Sequence, residues 1–205
     1  MAADDLPPEF RTSHFEVYVG AFGAFTAVGS SYSEIDPADP DISPSGSLNG
    51  STSGFGLRGG ADYVSNGWRV GLVGDWSLGG EVESEGGVAL DMPNLGTLRA
   101  RAGMEVGNTL LYVTGGYAQA EMEFDISNED LLVDGSEKKW TYGWTLGAGA
   151  DIDITESVTL GVEYLYVNLK DVEYDIAGET ETLSFEQKMD AIHTFRLGVN
   201  YAFQI

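Results

Sequence analysis

The sequence predicts an all-β protein in which eight antiparallel strands form an up-and-down barrel. Apolar and polar residues alternate with a period of two over eight separate segments, and the connections between these segments are alternately long and short. Glycine accounts for 28 of the 205 residues and proline for 6. Strict alternation indicates strands rather than helices, and a glycine-rich, proline-poor composition favours β-structure with tight turns.

The composition excludes several classes of function. The chain carries 33 acidic and 10 basic residues and a net charge of −23, so it lacks the excess of lysine and arginine that nucleic-acid binding needs. It contains no cysteine, which excludes disulfides, thiolate metal sites and cysteine nucleophiles. Hydrophobic residues make up 42% of the chain, which is too much for a disordered acidic protein.

Each predicted strand has an apolar face opposite the face that carries its charged residues. In 68–78, for example, Trp68, Leu72 and Trp76 share one face, whereas Arg69 and Asp75 lie on the other. The exception is 110–124, in which both faces hold apolar residues, so that its orientation stays open. The predicted strands span residues 14–27, 54–63, 68–78, 98–106, 110–124, 140–154, 158–169 and 194–203.

The connections define two ends of the barrel. Three are short and contain residues typical of hairpin turns, at 64–67, 107–108 and 155–157. Four are long and polar, at 28–53, 79–96, 125–139 and 170–192. The longest apolar run without a charge, 17–29, is shorter than the roughly 20 residues of a membrane helix, whereas a membrane strand needs only about 9–11.

The placement of arginine decides between a soluble barrel and a transmembrane one. Most acidic residues and all lysines lie in or beside the long connections, but five of the six arginines lie within strands on the polar face. A charge that faces lipid at mid-membrane costs about 2–4 kcal/mol, so we expect these arginines to face the lumen and to pair with carboxylates there. The predicted lumenal charge network comprises Glu16, Arg58, Asp62, Arg69, Asp75, Arg99, Arg101, Glu105, Glu163 and Arg196, and Asp151 and Asp153 lie on the same predicted face.

Aromatic residues crowd both ends of the apolar faces, as they do at the two interfaces of membrane barrels. A soluble barrel has no reason for this placement. The predicted fold class is therefore a transmembrane β-barrel with four long external loops and three short periplasmic turns. The predicted aromatic girdles comprise Phe15, Tyr63, Trp68, Tyr201 and Phe203 at the turn end, and Phe25, Trp76, Trp140, Tyr142 and Tyr166 at the loop end.

Three segments resemble the small outer-membrane β-barrel family of Gram-negative bacteria, the OmpA-like and porin-family surface-antigen barrels. They read LRARAGMEVGNTLLYVTGGYA at 98–118, GWTLGAGADIDITESVTLGVEYLYVNL at 143–169 and HTFRLGVNYAF at 193–203. The resemblance implies a location in the cell outer membrane. A signal peptide is expected to have been removed, because Ala2-Ala3 before a polar start is what cleavage at an Ala-x-Ala site leaves. On this basis, residues 1–13 are expected to form an N-terminal periplasmic segment and residues 14–205 the barrel.

We expect a non-enzymatic role in the cell envelope, in which acidic external loops face the surroundings. A lipid-deacylating barrel enzyme would need a His-x-Ser pair at the outer leaflet, but His14 is followed by Glu16 and His193 by Phe195 at that spacing. Because eight strands leave an interior just wide enough for side chains, we also expect a closed lumen.

The sequence leaves open a transport alternative, a small porin or a hemin-binding surface barrel. Hemin iron is bound by histidine or tyrosine, and Tyr32, Tyr174 and His193 are the candidates in or near the long connections. Measuring conductance in bilayers would test the small-porin alternative, and a hemin titration would test the hemin-binding alternative.

The first long connection is the candidate for a metal site, and the loops define the expected partners. Its carboxylates could bind calcium, but they lack the spacing and central glycine of an EF-hand, so a solvated acidic loop is the preferred interpretation. No cofactor is expected. Outer-membrane lipid and lipopolysaccharide are the expected partners, bridged by divalent cations because two anionic surfaces otherwise repel. The candidate ligands are Glu34, Asp36, Asp39 and Asp41.

Overall fold

The computed structural model describes residues 13–33, 45–79, 90–128, 133–170, 172–177 and 182–204. Over this part of the chain there is no helix long and apolar enough to cross a membrane. The described strands are β1 (His14–Ser33), β2 (Ser45–Ser65), β3 (Trp68–Leu78), β4 (Leu90–Val106), β5 (Thr109–Asn128), β6 (Val133–Asp153), β7 (Val158–Leu169), β8 (Val172–Ala177) and β9 (Thr182–Gln204).

Eight of these strands form a closed antiparallel barrel, which confirms the predicted fold class. The strands β1 to β7 pair in chain order, β7 pairs with β9, and β9 pairs back with β1. The closing register runs from Glu16↔Gln204 to Ser33↔Glu186, with one irregularity between Val28 and Ser30. The short strand β8 pairs with the first residues of β9 and lies within the fourth predicted long connection.

The long connections are shorter than the alternation of residues predicts. The β1–β2 ladder continues to Ser33↔Ser45 and the β5–β6 ladder to Asn128↔Val133. Residues 45–53 are rich in serine and glycine and show no apolar face, so a criterion based on alternation does not detect them. Backbone hydrogen bonds need no particular side chain, and two paired strands therefore extend beyond the apolar belt.

The three short turns lie where they are predicted, except that Val64 and Ser65 belong to β2 and the first turn is only Asn66-Gly67. Asn66 and Gly67 both have positive φ, at 53° and 77°, as a two-residue type I′ hairpin requires. Gly107 has a φ of 66° and stands first in its two-residue turn, where glycine is preferred in type II′. In the third turn the Thr155 hydroxyl accepts the backbone N–H of Val158 at 3.0 Å.

Large side chains inside the barrel pack onto glycines directly opposite them on the neighbouring strand. The register pairs Tyr18 with Gly60, Phe22 with Gly56, and Tyr112 with Gly149. A Cβ added to any of these glycines would meet the aromatic ring that covers it. Because an eight-stranded interior is narrow, the rings fit only where the opposite residue has no side chain.

Replacing Gly60 by alanine is expected to destabilise the barrel, because the added methyl group meets the Tyr18 ring and the Leu72 carbonyl oxygen. Overpacking of this kind costs about 1–3 kcal/mol. The matched control is Gly59→Ala, whose Cβ would have its nearest neighbour, the Tyr18 carbonyl oxygen, at 3.7 Å. Urea unfolding in lipid vesicles measures the free energy of unfolding of both variants. Equal midpoints for the two variants would contradict this account of the packing.

Candidate functional site of the barrel

Side-chain burial separates the charged residues from the apolar belt. Arginines and carboxylates on the inner face are buried, whereas the large apolar side chains of the same strands are exposed. Arg69 and Glu105, near the turn end, are partly exposed. The predicted network residues that are buried are Glu16, Arg58, Asp62, Asp75, Arg99, Arg101, Glu163 and Arg196.

Glu163 is the centre of the larger charged cluster. It accepts hydrogen bonds from Arg99 Nη1 at 2.8 Å and Arg58 Nη2 at 3.3 Å, and Arg196 Nη1 lies 3.7 Å from its Oε2. Asp75, on β3, accepts hydrogen bonds from Arg99 at 2.5 Å and Arg196 at 2.9 Å. Three guanidinium groups therefore share two carboxylates, and each charge has an opposite charge beside it.

Neutral side chains complete this cluster. The Tyr112 hydroxyl donates to Glu163 at 3.3 Å, and the Thr97 hydroxyl donates to Asp75 at 2.8 Å. The ring of Phe22 packs against the guanidinium groups of Arg58 and Arg196, with Cζ-to-centroid distances of 4.8 and 4.5 Å. Such contacts stabilise buried cations that cannot be hydrated.

A second cluster surrounds Arg101. Its guanidinium group donates to Asp62 and, at 2.9 Å, to Asp151 Oδ2. The rings of Tyr18 and Tyr112 lie 4.7 and 5.0 Å from its Cζ. The sequence predicted carboxylate partners for this arginine but did not single out the tyrosines. The position of Tyr18, two residues after Glu16 and thus on the same face of β1, was the signal that could have found one of them.

A third cluster lies near the periplasmic turns. Arg69 donates to Glu16 and, through Nε, to Glu105 at 2.7 Å. Asp153, which the sequence placed on the same face, is exposed at the turn end. The interior thus contains five arginines in three groups, which are ordered from the middle of the barrel to its periplasmic end.

The outer part of the interior is apolar, and the sequence analysis missed this feature. A cluster of buried aliphatic residues fills the inner face toward the loop end. The alternation in β5 was ambiguous because the inner positions Ala118 and Ala120 are as apolar as the outer ones, and Leu165 and Val167 on β7 likewise face inward. The cluster, called the apolar cap below, comprises Leu95, Ala118, Ala120, Leu165, Val167, Leu169 and Ile192.

A small cavity lies among the described inner side chains. Near the periplasmic end, a cavity of about 10 Å³ lies between Tyr18, Arg101, Asp151 and Asn200, which is room for about one water molecule.

The predicted girdle residues lie on the outer face at the two ends of the apolar belt. Phe15 packs against Tyr63 at the turn end, with ring centroids 5.3 Å apart. Trp76 packs against Trp140 at the loop end, with centroids 5.9 Å apart. Nine of the ten are exposed and Tyr166, which contacts Trp144, is partly buried.

The candidate calcium ligands Glu34, Asp36, Asp39 and Asp41 lie outside the described residues. The two histidines lie at opposite ends of the barrel. His14 begins β1 beside the turns, whereas His193 is on the outer face of β9 toward the loops, where its Nδ1 is 2.6 Å from the Tyr164 hydroxyl.

An up-and-down barrel with an apolar, aromatic-girdled outer face and a charged interior is a transmembrane barrel of the outer-membrane class. The sequence model of the outer membrane protein beta-barrel domain matches residues 2–203. The chain belongs to this family, and it is an outer-membrane protein.

Curated relatives carry the same location in their names. The 25 kDa outer-membrane immunogenic protein of Brucella melitensis is 31% identical over 133 residues, which cover 65% of this chain and 57% of that protein. The chain therefore spans less than two thirds of that relative. The 31 kDa outer-membrane immunogenic protein of the same organism is 32% identical over 191 residues, covering 84% of this chain and 75% of that protein.

Solved structures share the fold at low sequence identity. The outer membrane protein OprG of Pseudomonas aeruginosa aligns with a TM-score of 0.61 at 17% identity, covering 93% of this chain and 96% of OprG. The outer membrane protein AlkL aligns with a TM-score of 0.53 at 14% identity, and the alignment covers 98% of this chain and 96% of AlkL.

Replacing Glu163 by glutamine is expected to destabilise the barrel more than replacing Arg196 by methionine. The first change leaves three guanidinium groups around the single negative charge of Asp75. The second change leaves two guanidinium groups and two carboxylates, so the cluster stays neutral. Removing one partner of a buried ion pair costs about 3–5 kcal/mol, mostly from the charge left behind.

Thermal unfolding in detergent micelles measures both variants, with Lys170→Ala as the control because that side chain is exposed. Arg196→Met should still be less stable than this control. If Arg196→Met unfolds at a lower temperature than Glu163→Gln, the balance of positive and negative charges does not determine the stability of the interior.

Proposed function

We propose that this protein is a non-enzymatic surface barrel whose closed interior makes it a stable carrier for four acidic external loops. The observation that supports this most is the filling of the interior by three ion-pair clusters and the apolar cap. A barrel built to conduct solutes keeps its axis open, whereas this one places buried side chains across it. Its working surface is therefore the loops and the lipid-facing wall.

Charge sets the proposed partners of the loops. The net charge is −23, and most of the acidic residues lie in or beside the loops. The outer leaflet presents lipopolysaccharide phosphates, which repel such loops unless cations bridge the two. We propose that divalent cations bridge the base of the loops to lipopolysaccharide. The aromatic girdles then lie at the level of the lipid headgroups, and residues 1–13 lie on the periplasmic side.

Two further observations support a non-enzymatic role. The histidines lie at opposite ends of the barrel, and the Tyr164 hydroxyl, not a serine, is beside the His193 imidazole. The buried carboxylates Glu163 and Asp75 are paired with arginines. General acid–base chemistry requires a group within reach of a substrate, and these groups lie in the packed interior.

The wild-type protein should show no steady conductance in planar bilayers, because ion-pair clusters and the apolar cap occupy the described part of the interior. Single-channel recording measures this, with a general porin of 16 strands as the positive control. A stable open channel in the unmodified protein would favour the small-porin alternative.

A glutamate-specific protease applied to whole cells should cleave in the external loops and spare the periplasmic turns. The loop segments contain Glu34, Glu83, Glu129 and Glu179, and the control is Glu156, exposed in the third turn. Peptide mapping gives the cleavage sites, and permeabilised cells should add cleavage at Glu156. If intact cells are cleaved at Glu156 alone, the turns rather than the loops face the cell exterior, and the proposed orientation is wrong.

A further inference from the structure

We propose that a groove on the outer face of the barrel binds one acyl chain of an outer-leaflet lipid A molecule, with His193 at its phosphorylated headgroup. This inference rests on the proposed contact with lipopolysaccharide and assigns that contact a second, direct site on the barrel wall.

The groove crosses the lipid-facing wall where β2, β1, β9, β7 and β6 lie side by side. It is a shallow, open depression with a volume of about 950 Å³. Most of its exposed lining is apolar, and Glu163 and Arg196 of the interior also border it. Small outward residues form its floor, namely Gly23, Ala148 and Ala150, and Phe25 and Tyr164 stand beside them. An acyl chain fits such a surface because it is flexible, narrow and apolar.

The groove has a polar end toward the loops. Tyr164 lies in the groove, and its hydroxyl is 2.6 Å from Nδ1 of His193. When the hydroxyl donates to Nδ1, Nε2 carries the ring proton and remains available as a donor. The ring of Tyr166 lies edge-on to the imidazole, with centroids 5.6 Å apart, and fixes its orientation. His193 is exposed, so its donor can reach a lipid headgroup.

Charge and position favour a phosphorylated lipid at this end. The protein is strongly acidic as a whole, but on β9 and after β7 the described outer face near the loops carries His193 and the exposed Lys170, while Glu121 lies farther round the barrel on β5. The Lys170 ammonium group lies 4.7 Å from the centre of the Tyr142 ring. These donors face the outer leaflet, where phosphate and sugar groups of lipid A lie above its acyl chains. A deeper, purely apolar groove would not distinguish this lipid from any other.

Native mass spectrometry of the delipidated protein in detergent micelles, incubated with hexa-acylated lipid A, tests the proposal. The groove-filling variant is Gly23→Leu, in which the new side chain enters the groove without a backbone clash, since its Cβ would lie 4.0 Å from the nearest atom. The matched control is Gly74→Leu on β3, an outward glycine with its nearest neighbour at 3.8 Å. Ala148→Leu and its control Ala100→Leu repeat the comparison on other strands.

The wild-type protein and both control variants should retain one lipid A, and both groove-filling variants should retain about tenfold less. His193→Phe should also weaken retention, because it removes the headgroup donor and keeps the ring. Equal retention by Gly23→Leu and wild type overturns the proposal. So does displacement of lipid A by equimolar phosphatidylglycerol, which would indicate ordinary annular lipid, and so does dimer formation in place of the lipid adduct.

Heat-modifiable mobility on SDS gels confirms that each variant is folded before retention is compared. Failure of the groove variants to differ from their controls would leave the results on conductance and whole-cell proteolysis unchanged. The proposed surface role and this lipid site are thus tested separately.

Discussion

Backbone pairing between β1 and β9 closes the sheet, and the other features of the protein depend on that closure. An unpaired strand edge in hydrocarbon leaves polar groups without partners, at a cost of several kcal/mol each. The closing register also determines which side chains meet inside. Closure brings Arg58 and Arg99, on β2 and β4, across the interior to Glu163 on β7. It likewise brings Asp75 on β3 to Arg196 on β9, so that the central charged cluster exists only in the closed form.

The interior combines two ways of excluding water. Ion pairs occupy the middle and the periplasmic end, and the apolar cap occupies the loop end. Charges alone would tolerate water between them, whereas aliphatic side chains give it no hydrogen-bond partner. The cap lies on the loop side of Glu163 and its arginines, and under the proposed closed interior it would lower the effective dielectric in which these charges attract each other.

The outward side chains differ in size more than an apolar belt requires. Small residues on β1 and β6 leave a depression between larger side chains, and a histidine–tyrosine pair lies at its loop end. Hydrophobic burial alone would favour large residues at these positions. The opposite wall has a comparable glycine at Gly74, but no hydrogen-bonded histidine adjoins it in the described residues. The proposed lipid site rests on this asymmetry between the two sides of the barrel.

The sequence by itself determined the fold class, the strand order, the three turns and the inner or outer face of most side chains. It could do so because alternation, turn chemistry and the cost of charge in lipid are local properties that can be counted along one strand. Only the tertiary structure decided which arginine meets which carboxylate, since residues such as Arg101 and Asp151 lie on strands whose stagger the sequence does not specify. It also decided that Ala118 and Ala120 on β5 face inward as part of the apolar cap, because both faces of this strand carry apolar residues and an apolar residue satisfies either face of a membrane barrel.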